Sequence, residues 1–359
     1  MKKLLTGLRS GKILIRSTNW IGDAIMTTPA VRTIRENFPR AEITLLALPW
    51  VADVFAASPH VDRIMLYRKN GEHQGLIGRL KLVAELRRER FDLTILLQNA
   101  FEAALITTLA GIPARAGYTT DGRGLLLTHG VRLPNERKKL HQVHYYQELL
   151  KDLDLAPGLD SLFLQVPAAS REWAREFTDS LGAGIYGGEK LFIGINPGAS
   201  YGPAKRWPAE RYGGLAGWLS RKLHARILVF GTEADREAAQ VIAGWAPDHV
   251  TDLTGRTSLA QAMALIERCR VFVTNDSGLM HVSAALRTPT VAIFGSTNPV
   301  TTGPFSANSR VIRKDIPCSP CLATHCKADF RCMHEIGSDE VFAAVKDLLQ
   351  SSGRPAGGA

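Results

Sequence analysis

The sequence predicts an α/β protein made of two doubly wound, Rossmann-like domains facing a cleft. Three observations carry that expectation. Short β-branched and aromatic runs alternate with amphipathic helical stretches along the first half, the pattern of parallel strands joined by helical crossovers. The alternation stops in the glycine-rich stretch Gly182-Ala-Gly-Ile-Tyr-Gly-Gly188 and then restarts. The chain has 359 residues, too many for one typical domain and enough for two cores. The division expected is residues 1–180 for the first domain and 181–337 for the second. A C-terminal helix, 338–350, is left to pack anywhere, including back on the first domain, and 351–359 reads as a disordered tail.

In the first half, strands are expected at Lys12–Arg16, Ile43–Ala47 and Leu93–Leu97. A helix is expected at Ala30–Phe38, with Thr28-Pro29 as cap and first-turn proline. Leu76–Arg90 reads as a strongly basic amphipathic helix and His141–Asp152 as another. Tyr118 to Leu140 has weak periodicity and many Gly, Arg and Lys residues, so it reads as loops. In the second half, strands fall at Leu191–Ile195, Arg226–Phe230, Val271–Thr274 and Thr290–Phe294. Helices fall at Ala209–Lys222, Ala234–Gly244, Ser258–Glu267 and Leu279–Leu286, and finally at Asp339–Leu349 after Ser338. Gly182, Gly184 and Gly187 match G-x-G-x-x-G, yet a helix precedes them and a strand follows. The dinucleotide fingerprint needs the opposite order, so this stretch reads as a linker.

The formal net charge of +10 points to an acidic partner. Arg9, Lys12 and Arg16 leave no apolar core for a signal peptide, and no apolar run reaches the roughly 18 residues of a spanning helix. A cytoplasmic protein is expected, in which the five cysteines are thiols or metal ligands rather than disulfides.

Four polar clusters fall at expected strand ends. Asn19-Trp-Ile-Gly-Asp23 follows the first strand; Asp23 is a candidate general base there, or else a helix cap. Asn196-Pro-Gly-Ala-Ser-Tyr-Gly-Pro-Ala-Lys-Arg-Trp-Pro208 combines small residues, which bring backbone near a ligand, with Lys205 and Arg206 for phosphate oxygens. Phe230-Gly-Thr-Glu233 offers Glu233 to ribose hydroxyls. Thr274-Asn-Asp-Ser-Gly-Leu-Met-His281 turns a strand into a helix, with Asp276 and Ser277 as capping residues. A helix N-terminus at that turn is a natural seat for phosphate. His281, four residues after Ser277, shares the face of the opening turn.

Taken together, the pieces Trp20-Ile-Gly-Asp23, Gly202-Pro-Ala-Lys-Arg-Trp-Pro208 and Thr274-Asn-Asp-Ser-Gly-Leu-Met-His281 resemble glycosyltransferase family 9, from Ile13 to about Leu349. The resemblance implies a fold of the B type, with donor in the C-terminal half and acceptor in the N-terminal half. It implies inverting transfer of heptose from ADP-heptose to the first heptose of the inner core on Kdo2-lipid A. Asp23 matches the family's base. Lys205 matches the lysine on the donor pyrophosphate, with Ser200 and Tyr201 as phosphate-contacting neighbours. Glu233 matches the ribose-binding acid and Asp276 the aspartate that holds heptose hydroxyls. Ser277, Gly278 and His281 complete the phosphate seat.

Elementary chemistry agrees with that assignment. Inversion needs one base and a stabilised leaving group, which a lysine and a helix N-terminus provide without a required cofactor. No Asp-x-Asp motif stands beside the phosphate elements. A phosphorylated lipid acceptor would suit the basic N-terminal surface, with Arg79, Lys81, Arg87, Arg88, Arg90, Arg132, Arg137, Lys138 and Lys139, peripherally at the cytoplasmic face of the inner membrane. A solubilising surface explains the same residues one by one, and no acceptor contact is assigned.

Cys318, Cys321, Cys326 and Cys332 fall within fifteen residues and open with C-x-x-C. That spacing suits a structural zinc first and an iron–sulfur cluster second, and unligated thiols, or disulfides formed after lysis, are the competing reading. Alternatives for the whole chain are a family member acting at another core position, or a nucleotide-sugar epimerase of similar fold. A nucleic-acid-binding protein would explain the charge, but no stacking motif or recognition helix is present.

Overall fold

The computed structural model describes residues 11–182, 184–186 and 189–351. It divides into two compact units, Met1–Gln165 and Val166–Ala359. The division falls ahead of the expected boundary at residue 180, because the helix Ala168–Ser180 belongs with the second unit. Gly187 of the glycine-rich match and the expected tail from residue 352 lie outside the described residues.

The first unit runs β1 (Lys12–Arg16), α1 (Ile21–Met26), α2 (Thr28–Asn37), β2 (Glu42–Ala47), β3 (Arg63–Leu66) and α3 (Gly75–Glu89). It continues with β4 (Leu93–Leu96), α4 (Phe101–Leu109), β5 (Ala114–Tyr118), β6 (His129–Val131) and α5 (Gln142–Asp152). Its sheet has the order β3-β2-β1-β4-β5-β6, and every pairing is parallel. Ile13, Leu14 and Ile15 of β1 are buried together with Leu93 and Ile95 of β4. Strands covered on both faces read as such unbroken apolar runs.

The stretch expected as loops, Tyr118 to Leu140, instead carries the end of β5, all of β6 and two 3-10 turns, Arg123–Leu126 and Arg137–Lys139. Helix α2 begins at Thr28, with Thr27 rather than Thr28 in the cap position and Pro29 in the first turn. The hydroxyls of Thr27 and Thr28 bond back to Ala24 O and Ile25 O at 2.6 and 2.7 Å, so neither caps the helix.

After α6 (Ala168–Ser180), a small antiparallel hairpin forms from β7 (Ile185–Tyr186) and β8 (Glu189–Lys190). The second unit then repeats the plan of the first. Its elements are β9 (Phe192–Asn196), α7 (Ala209–Leu223), β10 (Arg226–Val229), α8 (Arg236–Gly244), β11 (Val250–Asp252) and α9 (Leu259–Arg268). They are followed by β12 (Val271–Asn275), α10 (Gly278–Ala285), β13 (Thr290–Ile293), β14 (Ser309–Ile312) and α11 (Ser338–Ser351). The sheet order β11-β10-β9-β12-β13-β14 is that of the first sheet, again parallel throughout.

Helix α11 is part of the second unit's core, where Val341, Val345, Leu348 and Leu349 join Leu215, Leu219, Val273 and Ile293. In both sheets the winding reverses beside the first strand, between β1 and β4 and between β9 and β12. In open α/β sheets that reversal leaves a crevice at the carboxyl ends of the strands, where ligands bind.

Candidate active site

In the second unit, the loops leaving β9 and β12 converge at that crevice. Asn196 and Asn275, the last residues of the two strands, are both buried. Asn275 donates to Pro197 O (2.7 Å) and accepts from Trp207 N and from the Tyr212 hydroxyl, both at 3.0 Å. Asn196 Nδ2 donates to Ser277 Oγ at 2.8 Å and to Thr274 Oγ1 at 3.2 Å. Two buried amides thus tie the long Pro197–Trp207 loop to the β12–α10 turn. Buried polar groups held on every side fix geometry more firmly than apolar packing does. Trp207, fully covered, anchors the end of the loop through its indole N–H to Ile336 O at 3.1 Å.

On that frame, Lys205 Nζ lies 2.6 Å from Asp276 Oδ2, with the two side chains only 13% and 6% exposed. Thr297 Oγ1 donates to the same carboxylate oxygen at 2.7 Å. The Lys205 ammonium also stands over the Tyr201 ring, 4.7 Å from its centroid, and the Tyr201 hydroxyl donates to Leu322 O at 2.8 Å. A cation in this setting has lost much of its water and is aimed by two neighbours, Asp276 and Tyr201.

Ser277 caps α10, accepting from Met280 N at 3.3 Å, with Gly278 as the first helical residue. Asp276 therefore is not the cap, and its carboxylate is turned to Lys205 and Thr297. His281 is buried on the first turn of α10. Ser200 is an exposed loop residue in the same connection.

Glu233 opens a 3-10 turn after β10 and is exposed, paired with Arg236. Asp235, two residues on, closes a capping box with Thr232 and is buried. Its Oδ1 lies 3.5 Å from Arg206, and a methyl group on Gly198 would come within 2.6 Å of Oδ2. The acid packed against the Lys205 loop is thus Asp235, while Glu233 stands at the rim beside Gly255.

In the first unit, the loop after β1 turns into α1 with Trp20 in the cap position and Asp23 in the first turn, third in the helix. Asp23 is half-buried. Burial raises the Tyr146 hydroxyl well above the ordinary tyrosine range, and the charge of Asp23 pushes it further, which places α5 against the carboxylate. Arg16, at the end of β1, is a buried guanidinium bonded to Leu46 O (3.4 Å) and Asn19 Oδ1 (2.7 Å). Desolvation lowers its pKa to about 10.

Of the residues expected at the site, Lys205, Asp276, Ser277, Gly278, His281 and Tyr201 come together at one switch point, and Asp23 stands at the other. Asn196, Asn275, Asp235 and Thr297 were not singled out. The two asparagines and Asp235 lie in or beside motifs that were noticed, but amides there read as turn formers. Thr297 carried no signal.

The basic residues of the first unit are partly spent: Arg79 pairs with Glu102, Lys81 with Glu72 and Arg137 with Asp152 and Glu148. The four C-terminal cysteines lie in one stretch that ends at the core of the second unit. Among the described residues no group of three or more His, Cys, Asp or Glu side chains is placed to hold an ion. Cys332 has gone into the core beside Ile336 and Met333, and burial raises its thiol pKa, with Cys318, Cys326 and Cys321 adding to the shift. Cys318 and Cys321 are exposed.

Two sheets of identical order, each with its polar loops at the switch point, define a two-domain α/β enzyme. The second site is a lysine and a helix N-terminus suited to a phosphorylated ligand. The profile of "Glycosyltransferase family 9 (heptosyltransferase)" matches residues 79–330. The chain is 34% identical over 314 residues to "Lipopolysaccharide heptosyltransferase 2" of Escherichia coli K12, covering 84% of this chain and 88% of that one. It is 32% identical over 311 residues to "Lipooligosaccharide heptosyltransferase 2" of Haemophilus influenzae, covering the same shares. The solved structure of the E. coli ADP-heptose lps heptosyltransferase II superimposes with a TM-score of 0.80 at 32% identity, over 95% of this chain and 99% of that one. The chain belongs to glycosyltransferase family 9, the heptosyltransferases, and its fold is of the GT-B type.

Proposed function

We propose that the chain transfers L-glycero-D-manno-heptose from ADP-heptose to the first heptose of the lipopolysaccharide inner core, with inversion at the anomeric carbon. The observation that carries this reading is the desolvated Lys205–Asp276 pair at the capped start of α10.

In the reaction, Asp23 takes the proton of an acceptor hydroxyl. The freed oxygen attacks the anomeric carbon from the face opposite the nucleotide, and the bond to the β-phosphate oxygen breaks. ADP departs with an added negative charge, which Lys205 and the N–H groups at the start of α10 neutralise. Asp276 holds the lysine in place before donor arrives, and its carboxylate then faces the sugar hydroxyls. Glu233 and the neighbouring backbone receive the ribose. The acceptor, heptosyl-Kdo2-lipid A, is anchored in a bilayer, so the enzyme works peripherally at the cytoplasmic face of the inner membrane. No helix among the described residues is long and apolar enough to cross a membrane.

The test is a transfer assay with ADP-heptose and two acceptors, Kdo2-lipid A with and without its first heptose, read by product mass. Addition of one heptose only to the heptosylated acceptor is expected. Addition to the bare acceptor would move the enzyme to another core position. Release of a modified sugar without any acceptor would make it an epimerase.

A further inference from the structure

The carboxyl edge of the first sheet has an apolar rim. Taken across the sheet, β3 leads into Leu76 and Ile77 at the start of α3, and β2 into Trp50. Then β1 leads into Trp20, β4 into Phe101 at the start of α4, and β5 into Leu125. All of these are exposed, Ile77 by 85% and Leu125 by 99%. Trp50 is fixed in that position by its indole N–H, which donates to Asn19 O at 2.9 Å.

The apolar surface continues down α4. Phe101, Leu105 and Leu109 are exposed and recur every four residues, so they form one stripe. Glu102 on one side of the stripe bonds to Arg79 of α3 at 2.8 Å. Thr108 on the other side bonds to Leu126 O of the neighbouring 3-10 turn at 3.3 Å. The stripe therefore lies between α3 and the turn that carries Leu125. Monomeric proteins rarely leave so many large apolar side chains together in water.

We infer that this face docks on a bilayer surface bearing anionic headgroups, an inference that rests on the lipid-anchored acceptor proposed above. The charge around the patch chooses the occupant. Of the four cations on helix α3, Arg79 and Lys81 are paired with Glu102 and Glu72, and Arg87 and Arg88 of the last turn supply the positive charge beside the stripe. A second copy of a chain with net charge +10 would meet like charge here, whereas an anionic leaflet meets its complement. Two exposed tryptophans at the rim suit the headgroup layer, where amphipathic indole rings settle. The docked edge is the one that carries Asp23, so an acceptor headgroup projecting from the membrane meets the base without leaving its lipid anchor.

The experiment is co-sedimentation of the full chain with phosphatidylglycerol–phosphatidylcholine vesicles and with pure phosphatidylcholine vesicles, for the native chain and Ile77→Glu/Leu125→Glu. Native protein is expected on the anionic vesicles only. The double variant should lose about tenfold or more in vesicle affinity. Its transfer to a deacylated, water-soluble acceptor should match the native rate, which separates docking from folding and chemistry. Failure of the native chain to bind anionic vesicles, or equal binding by the variant, would overturn the inference. A native dimer that the substitutions split, seen by light scattering, would reassign the face to self-association. Loss of transfer to the soluble acceptor by native protein, with vesicle binding intact, would instead strike the proposed reaction.

Discussion

Lys205 is a cation kept nearly dry beside one carboxylate, and that setting makes it both a structural and a functional residue. Removing one member of a buried pair leaves the other uncompensated, which is costlier than the pair itself is stabilising. Lys205→Met should therefore lower unfolding free energy by about 3 kcal/mol, measured by urea denaturation. Adding Asp276→Asn should restore part of that loss, since the stranded carboxylate is then gone. Arg16 is the corresponding case in the first unit, a buried guanidinium bonded to carbonyls and an amide and lowered by desolvation. Polar groups held at such expense are enriched at working sites.

At the scale of elements, the loop after β9 depends on Gly202. Its φ of +152° lies where L-residues rarely go, and a methyl there would collide with the carbonyl of Thr324. The cysteine-bearing segment is thus packed onto the Lys205 loop, with Ala204 N donating to Thr324 O at 3.1 Å and Tyr201 to Leu322 O. Gly202→Ala should part the two segments, raising KM for ADP-heptose with little change in melting temperature; an unchanged KM would deny the coupling. The same scale shows what could be read from the chain. Strands β1, β2, β4, β9, β10, β12 and β13 were legible because burial on both faces demands unbroken apolar runs. The edge strands β3, β6, β11 and β14, and the alanine- and glycine-rich β5, are short or polar, and only their neighbours in the sheet make them strands. Lys205, Asp276 and Asp23 stood out because charged residues at strand ends have few structural uses. Asn196, Asn275 and Thr297 did not, because amides and hydroxyls in turns have many.

The whole molecule is one plan used twice, with equal strand order in both units and different charged residues at each switch point. Stability should depend on pH through groups such as His60, packed edge-on to Phe163 at 4.8 Å. Burial, and then the charge of Arg32, lowers its pKa below the usual 6.5. The unfolded chain then takes up the proton first as pH falls. The contribution of His60 is therefore complete above pH 6.5 and is lost as pH drops through its folded value. His60→Phe should reduce the fall in melting temperature between about pH 7.5 and 5.5; an equal fall in both proteins would remove His60 from the effect.

If the first unit supplies the base and the second holds the leaving group, the two functions separate by mutation. The direct measurement is calorimetric binding of ADP-heptose, together with acceptor-dependent ADP release, for Asp23→Asn and Lys205→Met. The expected result is that Asp23→Asn binds donor as the native chain does while turnover falls about a hundredfold or more. Lys205→Met should lose donor affinity and turnover together. Native turnover in Asp23→Asn, or native donor affinity in Lys205→Met, would contradict this division of labour.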